Sequence, residues 1–358
     1  MQHQTLGAVQ DAPLPRNTFL VGDVRTRLRE LPDNSIDSIV TSPPYFGVRN
    51  YGHEDQMGAE KYVEHWAEDL REVCREAARV LKPTGALWLN LGDTYARNPG
   101  EGAPSKSLLL GPARLALALL RDGWILRNQV VWAKSNPMPS SVRDRLSTTH
   151  EVVFFLVRSR RYYFDLNAIR QPLRTTAQQS TTDAQRRYPP DDTRRTARGV
   201  NDNSGLSGLK ARGAAGHPLG KNPGDVWRLA TANYRGAHFA VFPSSLVERP
   251  ILATCPERIC TACGQPWQGE RQQCDGRLLP IGPLRPNCGC RATWRPGVVL
   301  DPFMGAGTVA LAAEKHGRDW LGIELNAAYV AQAKERLARW RASNTNRKQG
   351  TRNGTPTK

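Results

Sequence analysis

The chain has 358 residues, of which 39% are hydrophobic, enough for one large α/β domain with an elaboration or for two domains. The formal net charge of +17 and the isoelectric point near 10.0 indicate a polyanionic partner. The sequence shows no run of 18 apolar residues and no signal peptide at residues 1–16, so we expect neither a membrane span nor secretion.

The first predicted elements follow a polar lead over residues 1–16. Residues 18–21 are predicted as a strand that ends at Gly22 and Asp23, and a short helix follows over 24–31. Asp23 is a suitable N-cap for that helix, because its carboxylate can accept hydrogen bonds from the free N–H groups of the first turn.

A second strand ends in a turn that cannot continue a sheet. Residues 36–40 predict a short strand, and the sequence Thr-Ser-Pro-Pro-Tyr follows at 41–45. Because neither proline has a backbone N–H, the strand must end there and display Ser42 and Tyr45 at its C-terminal edge. Ligands bind at that edge in open α/β sheets, and a serine oxygen, a carbonyl and an aromatic ring suit a planar group with an amino edge. An ordinary strand-ending turn is the alternative.

Helices and strands then alternate. Apolar residues at helical spacing predict a helix over 61–81, and residues 82–85 (Lys-Pro-Thr-Gly) are a stop signal. A buried strand over 86–91 leads to Asp93, which is predicted either to line a pocket or to cap a turn. The alternation is typical of α/β folds, and its remaining members are predicted at 108–120 (helix), 125–133 (strand) and 151–157 (strand).

Residues 170–222 interrupt this pattern. They contain ten Lys and Arg residues against four acidic ones, and the rest is mostly Thr, Gln, Ser, Gly and Pro. Such a segment cannot bury enough apolar area to fold alone. An insert that orders on binding DNA and a solvated disordered loop are both open at this point.

Two close cysteine pairs precede the last strands. Cys260 and Cys263 form a Cys-x-x-Cys knuckle, and Cys288 and Cys290 form a tighter second pair. This is a zinc-ribbon pattern, and zinc is preferred over disulfides because cytosolic thiols are kept reduced. The ribbon should be structural. The remaining cysteines are two spare ligand candidates and one small core residue, namely Cys255, Cys274 and Cys74.

The last part of the chain carries a glycine-rich turn between two strands. Residues 298–301 predict a buried strand ending in Asp301, and the sequence Pro-Phe-Met-Gly-Ala-Gly-Thr follows at 302–308. No lysine follows the second glycine, so the turn is not a phosphate-cradling loop, and Asp301 suits a cationic group. A second strand ends in Glu324, 23 residues after Asp301, where an acidic residue holds ribose hydroxyls in a βαβ site. These features together indicate a site for S-adenosylmethionine.

The motifs at 41–45 and 301–308 resemble those of site-specific DNA amino-methyltransferases of the β motif order, N4-cytosine type. In that family the catalytic motif precedes the cofactor motif. The resemblance covers residues 17–340 apart from the irregular middle. It implies a Rossmann-like α/β methyltransferase fold with a mixed sheet of about seven strands, helices on both faces, a small zinc-ribbon insertion and a flexible recognition insert.

The resemblance divides the chain into five parts: an N-terminal lead (1–16), a catalytic half (17–169), a flexible basic target-recognition insert (170–227), a cofactor half (228–340) with the zinc ribbon at 255–292, and a basic disordered tail (341–358). The implied catalytic residues are Ser42, Pro43, Pro44 and Tyr45. The implied S-adenosylmethionine-binding residues are Asp23, Phe242, Pro243, Asp301, Pro302, Phe303, Gly305, Gly307, Thr308 and Glu324. The predicted structural zinc ligands are Cys260, Cys263, Cys288 and Cys290.

The implied reaction is methylation of an exocyclic amine. The base must leave the duplex, Tyr45 would stack on it, and Ser42 and the Pro43 carbonyl would accept hydrogen bonds from its amino group. The Ser-Pro-Pro-Tyr form favours cytosine N4 in double-stranded DNA. Adenine N6, an RNA or protein substrate on the same fold, and a non-catalytic zinc-ribbon DNA-binding protein are the alternatives.

The resemblance also bears on partners and location. It implies a cytoplasmic, nucleoid-associated protein of a prokaryote or phage, with double-stranded DNA as its partner and no membrane. It leaves two protein partners open, a second copy of the chain as a homodimer and a cognate restriction endonuclease that acts separately.

Overall fold

The computed structural model describes residues 13–49, 56–172, 217, 219–232, 242–274 and 277–350. The chain divides into two compact units. The first comprises Met1–Phe164, Asp225–Pro266 and Cys288–Lys358, and the second comprises Asp165–Gly224 and Trp267–Asn287. Within the described ranges, none of the helices has the length and apolar character that crossing a membrane requires.

Most of the described strands belong to one sheet. In chain order they are β1 (Thr18–Val21), β2 (Ile36–Thr41), β3 (Leu81–Leu91), β4 (Ile125–Lys134), β5 (His150–Val157), β6 (Val226–Leu229), β7 (Ile259–Cys260), β8 (Gln268–Cys274), β9 (Arg277–Arg285), β10 (Trp294–Arg295), β11 (Val298–Asp301) and β12 (Asp319–Glu324). The described α-helices are α1 (Val24–Arg29), α2 (Val63–Val80), α3 (Gly111–Arg121), α4 (Ser244–Thr254), α5 (Thr308–Lys315) and α6 (Ala327–Gly350).

The central sheet of the first unit is mixed, as the sequence predicts. Its eight strands run in the order β1-β12-β11-β2-β3-β5-β4-β6. Strands β1, β12, β11, β2 and β3 are parallel, whereas β5 is antiparallel to both β3 and β4. The C-terminal ends of the five parallel strands therefore meet at one edge, which also receives the start of β5.

The sheet has one strand more than the seven or so predicted. The additional strand is β6, which pairs in parallel with β4. It lies across the predicted boundary between the insert and the cofactor half at residues 227 and 228. Only Trp227 of its four residues is fully buried, so its hydrophobic pattern is too short to identify from sequence.

Helices cover both faces of the sheet, because successive residues of a strand point to opposite sides. Ile39 belongs to a buried cluster that includes residues of α1, α2 and α3, whereas Val40 belongs to a second cluster that includes residues of α4, α5 and α6. Trp66 and Trp320 are the largest fully buried side chains. Burying a Val, Leu, Ile, Phe or Met side chain contributes about 1.5–3 kcal/mol, and both clusters contain many such residues, so the two clusters stabilise the sheet between its helices.

Two predicted boundaries differ from the structure. The helix α2 ends at Val80, before the predicted stop at residues 82–85, but β3 begins at Leu81 rather than at residue 86. The pairing of β3 with β2 shifts register between Ile36 and Ser38. That irregularity tolerates Pro83, which cannot donate a ladder hydrogen bond. The helix α6 continues through Gly350, so residues 341–350 are helical where the sequence predicted a disordered tail. Residues 351–358 lie outside the described residues, as does most of the lead.

The second unit contains a two-stranded antiparallel hairpin, β8 and β9. Its sequence lies within the predicted ribbon at 255–292, but the hairpin belongs to a different unit from the cysteine pairs. A bridge between Gln171 and Lys221 joins the two described ends of the predicted insert. Residues 173–216 of that insert lie outside the described residues, and the predicted recognition role stays a prediction.

Candidate active site

A cavity of about 570 Å³ lies within the first unit at the C-terminal edge of the parallel strands. Both sequence motifs contribute to its wall. The strand ends explain this, because the pairing of β11 with β2 brings residues that are 260 positions apart in the chain to the same sheet edge. The cavity therefore joins the predicted catalytic and cofactor motifs in one space.

The catalytic motif forms the wall at the end of β2, where Ser42, Pro43, Pro44 and Tyr45 all line the cavity. The Ser42 hydroxyl lies 3.1 Å from the Tyr45 hydroxyl. The indole N–H of Trp66 donates a 2.9 Å hydrogen bond to the Pro44 carbonyl. Because Trp66 is itself buried, this bond fixes the turn that presents the serine and the tyrosine.

A polar cluster that the sequence did not single out surrounds the Tyr45 hydroxyl. That hydroxyl donates a 2.6 Å hydrogen bond to Glu151 Oε2. Asn90 Nδ2 lies 2.7 Å from the Tyr45 oxygen and 2.8 Å from Glu151 Oε2. Lys134 Nζ lies 2.6 Å from the other carboxylate oxygen, Glu151 Oε1. Ser42, Tyr45, Asn90, Glu151 and Lys134 thus form one connected group, called here the Tyr45 cluster.

The glycine-rich turn and the end of β12 form the opposite part of the wall. The backbone N–H of Gly305 donates to Glu324 Oε2 at 2.8 Å, and the N–H of Asn326 donates to Oε1 at 2.9 Å. Burial raises the pKa of Glu324, while these backbone donors lower it. Glu324 is therefore a fixed acceptor on the cavity wall, and its contact with ribose hydroxyls stays a prediction.

Asp301 differs from the prediction, because it does not line the cavity and its exposure is 0%. Oδ1 accepts hydrogen bonds from the Thr41 hydroxyl at 2.6 Å and from the Phe303 N–H at 3.0 Å, whereas Oδ2 has no hydrogen-bond partner. Burial raises the pKa of Asp301 to about 7. Asp301 thus lies behind the wall of the cavity, where it orients the turn, and its contact with a cationic group stays a prediction.

The other predicted cofactor residues divide into two groups. Pro243 and Gly307 are not on the cavity wall; Pro243 precedes α4 and Gly307 precedes α5. Asp23 lines the cavity and also caps α1, since its Oδ1 accepts from the Thr26 N–H at 3.0 Å. The other predicted cofactor residues that line the cavity are Phe242, Pro302, Phe303, Gly305, Thr308 and Glu324.

Residues 36–335 match the profile of the N6_N4_Mtase family, described as DNA methylase. The chain belongs to this family of DNA methylases. The DNA methylase is 32% identical over 344 residues to the type II methyltransferase M.SmaI of Serratia marcescens, covering 90% of the chain and 91% of that relative. It is 33% identical over 349 residues to the type II methyltransferase M.Cfr9I of Citrobacter freundii, covering 91% of the chain and 89% of that relative. The resemblance drawn from the two motifs is thereby confirmed.

The fold of this DNA methylase is also similar to a solved structure, the PvuII DNA methyltransferase (cytosine-N4-specific). The TM-score is 0.55 at 16% identity, over 90% of this chain and 86% of that one. At this identity the likeness shows the fold alone. The predicted fold class, an α/β methyltransferase fold with a large mixed sheet, is confirmed.

The DNA methylase also carries the four-cysteine cluster that the sequence predicts. The sulfurs of Cys260, Cys263, Cys288 and Cys290 all lie within 4.8 Å of one another. The first pair sits on a tight turn in which the Gly264 N–H donates to the Cys260 carbonyl at 3.0 Å. Cys74 is buried in the core, as predicted, and neither spare candidate, Cys255 or Cys274, belongs to the cluster.

The thiols of the cluster differ in acidity. Hydrogen bonds from the backbone N–H groups of Cys263 and Ala262 lower the pKa of Cys260 to about 7. Hydrogen bonding with the neighbouring sulfurs of Cys263 and Cys288 raises the pKa of Cys290 to about 12. Several thiolates this close together repel one another, so a bound cation would stabilise them. Four convergent sulfurs could therefore hold a metal ion.

Proposed function

We propose that this DNA methylase transfers the methyl group of S-adenosylmethionine to the exocyclic N4 amine of a flipped cytosine in double-stranded DNA. One observation carries the proposal: a single cavity is lined by both Ser42 and Tyr45 of the catalytic motif and by Gly305 and Glu324 of the cofactor motif. Proximity and orientation of two bound reactants are then the main source of catalysis.

The wall opposite the catalytic motif fits S-adenosylmethionine in its chemistry. Glu324 would hold the ribose hydroxyls, Asp23 would accept a hydrogen bond from the adenine amino group, and the Phe242 and Phe303 rings would pack against apolar parts. The close approach of a ligand to the turn at Gly305 requires no side chain there. When bound, S-adenosylmethionine supplies an electrophilic methyl group on sulfur.

The catalytic motif fits an extruded base. Ser42 Oγ and the Pro43 carbonyl would accept hydrogen bonds from the two amino hydrogens, and the Tyr45 ring would stack on the base plane. Arg49 also lines the cavity, and the chain carries a formal charge of +17, which suits a phosphate backbone outside it. The insert at 170–227 remains our proposed segment for target recognition.

The proposal of cytosine rests on Ser42. Serine offers a neutral hydroxyl acceptor on a short side chain. Enzymes that methylate adenine usually have Asp or Asn at this position, whose side chains are longer, and the Asp side chain is also ionised. In the family that the motif resembles, Ser-Pro-Pro-Tyr occurs mostly in enzymes that methylate cytosine N4. Adenine N6 is the second outcome that the product analysis below distinguishes.

We also infer that the cysteine cluster binds one structural zinc ion through Cys260, Cys263, Cys288 and Cys290. Zinc–sulfur bonds of about 2.3 Å place tetrahedral sulfurs about 3.8 Å apart. The observed sulfurs, all within 4.8 Å of one another, are close enough to adopt that geometry with small movements. The ligand set is complete with four thiols, which is typical of structural rather than catalytic zinc.

The test is product analysis. The chain is incubated with labelled S-adenosylmethionine and either duplex DNA or RNA, and the nucleosides are then separated and identified by mass spectrometry. The proposal expects N4-methylcytosine from duplex DNA, and Ser42→Ala should lower turnover far more than cofactor affinity. N6-methyladenine without N4-methylcytosine would refute the choice of base, and label in RNA alone would refute DNA as the substrate.

A further inference from the structure

Three side chains of the Tyr45 cluster form a continuous chain of hydrogen bonds. The Ser42 and Tyr45 hydroxyl oxygens are 3.1 Å apart, and the Tyr45 hydroxyl donates to Glu151 Oε2 at 2.6 Å. Since the one hydroxyl proton of Tyr45 points to Glu151, the hydrogen bond between the two hydroxyls must be donated by Ser42. The chain therefore runs in one direction, from Ser42 through Tyr45 to a carboxylate.

This direction matters because methylation of an amine releases a proton. A neutral serine hydroxyl is a poor final acceptor, since a protonated alcohol is a strong acid. A carboxylate two hydrogen bonds away removes that difficulty if the protons can shift along the chain. The role proposed above for Ser42, which only accepts a hydrogen bond from the amine, does not say where the proton goes.

We propose that Ser42, Tyr45 and Glu151 form a proton path, with Glu151 as the final acceptor of the proton released by the methylated amine. This inference rests on the proposed function. The N–CH₃ bond forms as the S–CH₃ bond breaks, leaving a neutral thioether and a positively charged amine. The amine proton passes to Ser42 Oγ, the serine proton passes to the Tyr45 oxygen, and the tyrosine proton passes to Glu151 Oε2, which becomes neutral.

The surroundings of Glu151 suit this role. Lys134 Nζ lies 2.6 Å from Oε1, so the ion pair leaves Oε2 facing Tyr45. Asn90, which is 4% exposed, donates to the same Oε2 and lies beside the Tyr45 oxygen, so it holds donor and acceptor together. Glu151 itself lines the cavity, so the carboxylic acid can return the proton to solvent through that space.

Two substitutions interrupt the path in different ways. Glu151→Gln keeps a hydrogen-bond acceptor for Tyr45 but cannot take up the proton, whereas Tyr45→Phe keeps the ring and removes the intermediate hydroxyl. The matched control is Glu248→Gln, because Glu248 forms a Glu–Lys ion pair with Lys315 at 2.7 Å and is not on the cavity wall. Thermal unfolding of each variant verifies that it is folded.

The measurement is the single-turnover rate of methyl transfer from saturating labelled S-adenosylmethionine to unmethylated genomic DNA. Separate titrations measure the affinity of each variant for S-adenosylmethionine and for DNA. We expect each path variant to lower the rate by about 100-fold, the size of a general acid–base contribution, with both affinities within about twofold of the wild type. The double variant should be no slower than the slower single variant, because both residues lie on one path.

Several results would overturn the proton path. A Glu151→Gln or Tyr45→Phe variant with a near wild-type rate would show that the proton leaves another way. A loss explained by weaker binding, or additive losses in the double variant, would show independent positioning roles. If neither the wild type nor Glu248→Gln methylates DNA, the proposed function itself fails, and that result is distinct from an active wild type with an unaffected Glu151→Gln variant.

Discussion

The ring of Tyr45 lies directly against the backbone of Gly92. A Cβ atom built on Gly92 would be 2.7 Å from Tyr45 Cε2 and 2.9 Å from Cδ2, closer than real contacts of this kind. The ring cannot move aside easily, because its hydroxyl is bonded to Glu151 and Asn90. Gly92 follows the end of β3, so that strand sets the position of the tyrosine in the turn after the neighbouring strand β2.

We therefore expect Gly92→Ala to displace the ring. Overpacking of this kind should lower the free energy of unfolding by about 1–3 kcal/mol. Because a misplacement of about 1 Å can cost on the order of 100-fold in rate, activity should fall by more than the affinity for S-adenosylmethionine. Chemical denaturation, calorimetry and a methyl-transfer assay measure the three quantities.

Gly224→Ala is the control for this substitution, since a Cβ at Gly224 meets no atom within 4 Å. It should leave activity near the wild-type value. A Gly92→Ala variant with full activity would show that the tyrosine position is not critical for methyl transfer.

The motifs could be predicted because each is contiguous in the chain. Two prolines after an apolar strand force a turn whatever the rest of the fold does, and a glycine-rich turn between two apolar strands has few alternatives. The cysteine cluster was predicted for the same reason, since two short spacings place four sulfurs on two turns. In each case local chemistry decided the geometry.

The Tyr45 cluster could not be predicted, because its members come from different strands. Asn90, Lys134 and Glu151 lie on β3, β4 and β5, and the antiparallel pairing of β5 with both neighbours brings them together. Asn90 offered the one local signal, a polar residue inside the apolar strand at 86–91. The burial of Asp301 was equally hidden, because a residue at a strand end can lie on the wall or behind it.

The bond between Thr41 and Asp301 should contribute measurably to stability. It joins the two motif strands, and it is the shorter of the two hydrogen bonds to Asp301. Thr41→Val should lower the free energy of unfolding by about 1.5–3 kcal/mol at pH of about 8, since a hydrogen bond to a charged group is lost without loss of volume. Thr41→Ser keeps the hydroxyl and should recover most of this difference in urea denaturation. Equal losses for the two variants would assign the effect to packing instead.

Metal analysis tests the cysteine cluster. Protein purified without chelator should contain about one zinc ion per chain, and Cys288→Ser should lose most of it and unfold at a lower temperature. Cys274→Ser is the matched control, because this partly exposed cysteine lies outside the cluster and should leave the zinc content unchanged. Wild-type protein without zinc would contradict the assignment.

The buried Asp301 should give the stability of the protein a distinctive dependence on pH. Burial raises the pKa of Asp301 to about 7, and the hydrogen bonds from Thr41 and Phe303 only partly oppose this. An aspartate in the unfolded chain has a pKa of about 3.9. Between these values the folded chain keeps a proton that the unfolded chain has lost.

The free energy of unfolding should therefore fall as the pH rises from about 4 to about 7, by up to about 1.4 kcal/mol per pH unit from this one group, and the contribution should be constant above about 7. Asp301→Asn cannot ionise, so its unfolding free energy should lack this slope, and the two proteins should diverge as the pH rises through the window. Denaturant unfolding at a series of pH values measures both curves on the same scale. Because every other titrating group is common to the two proteins, parallel curves would mean that Asp301 is not a raised, buried acid.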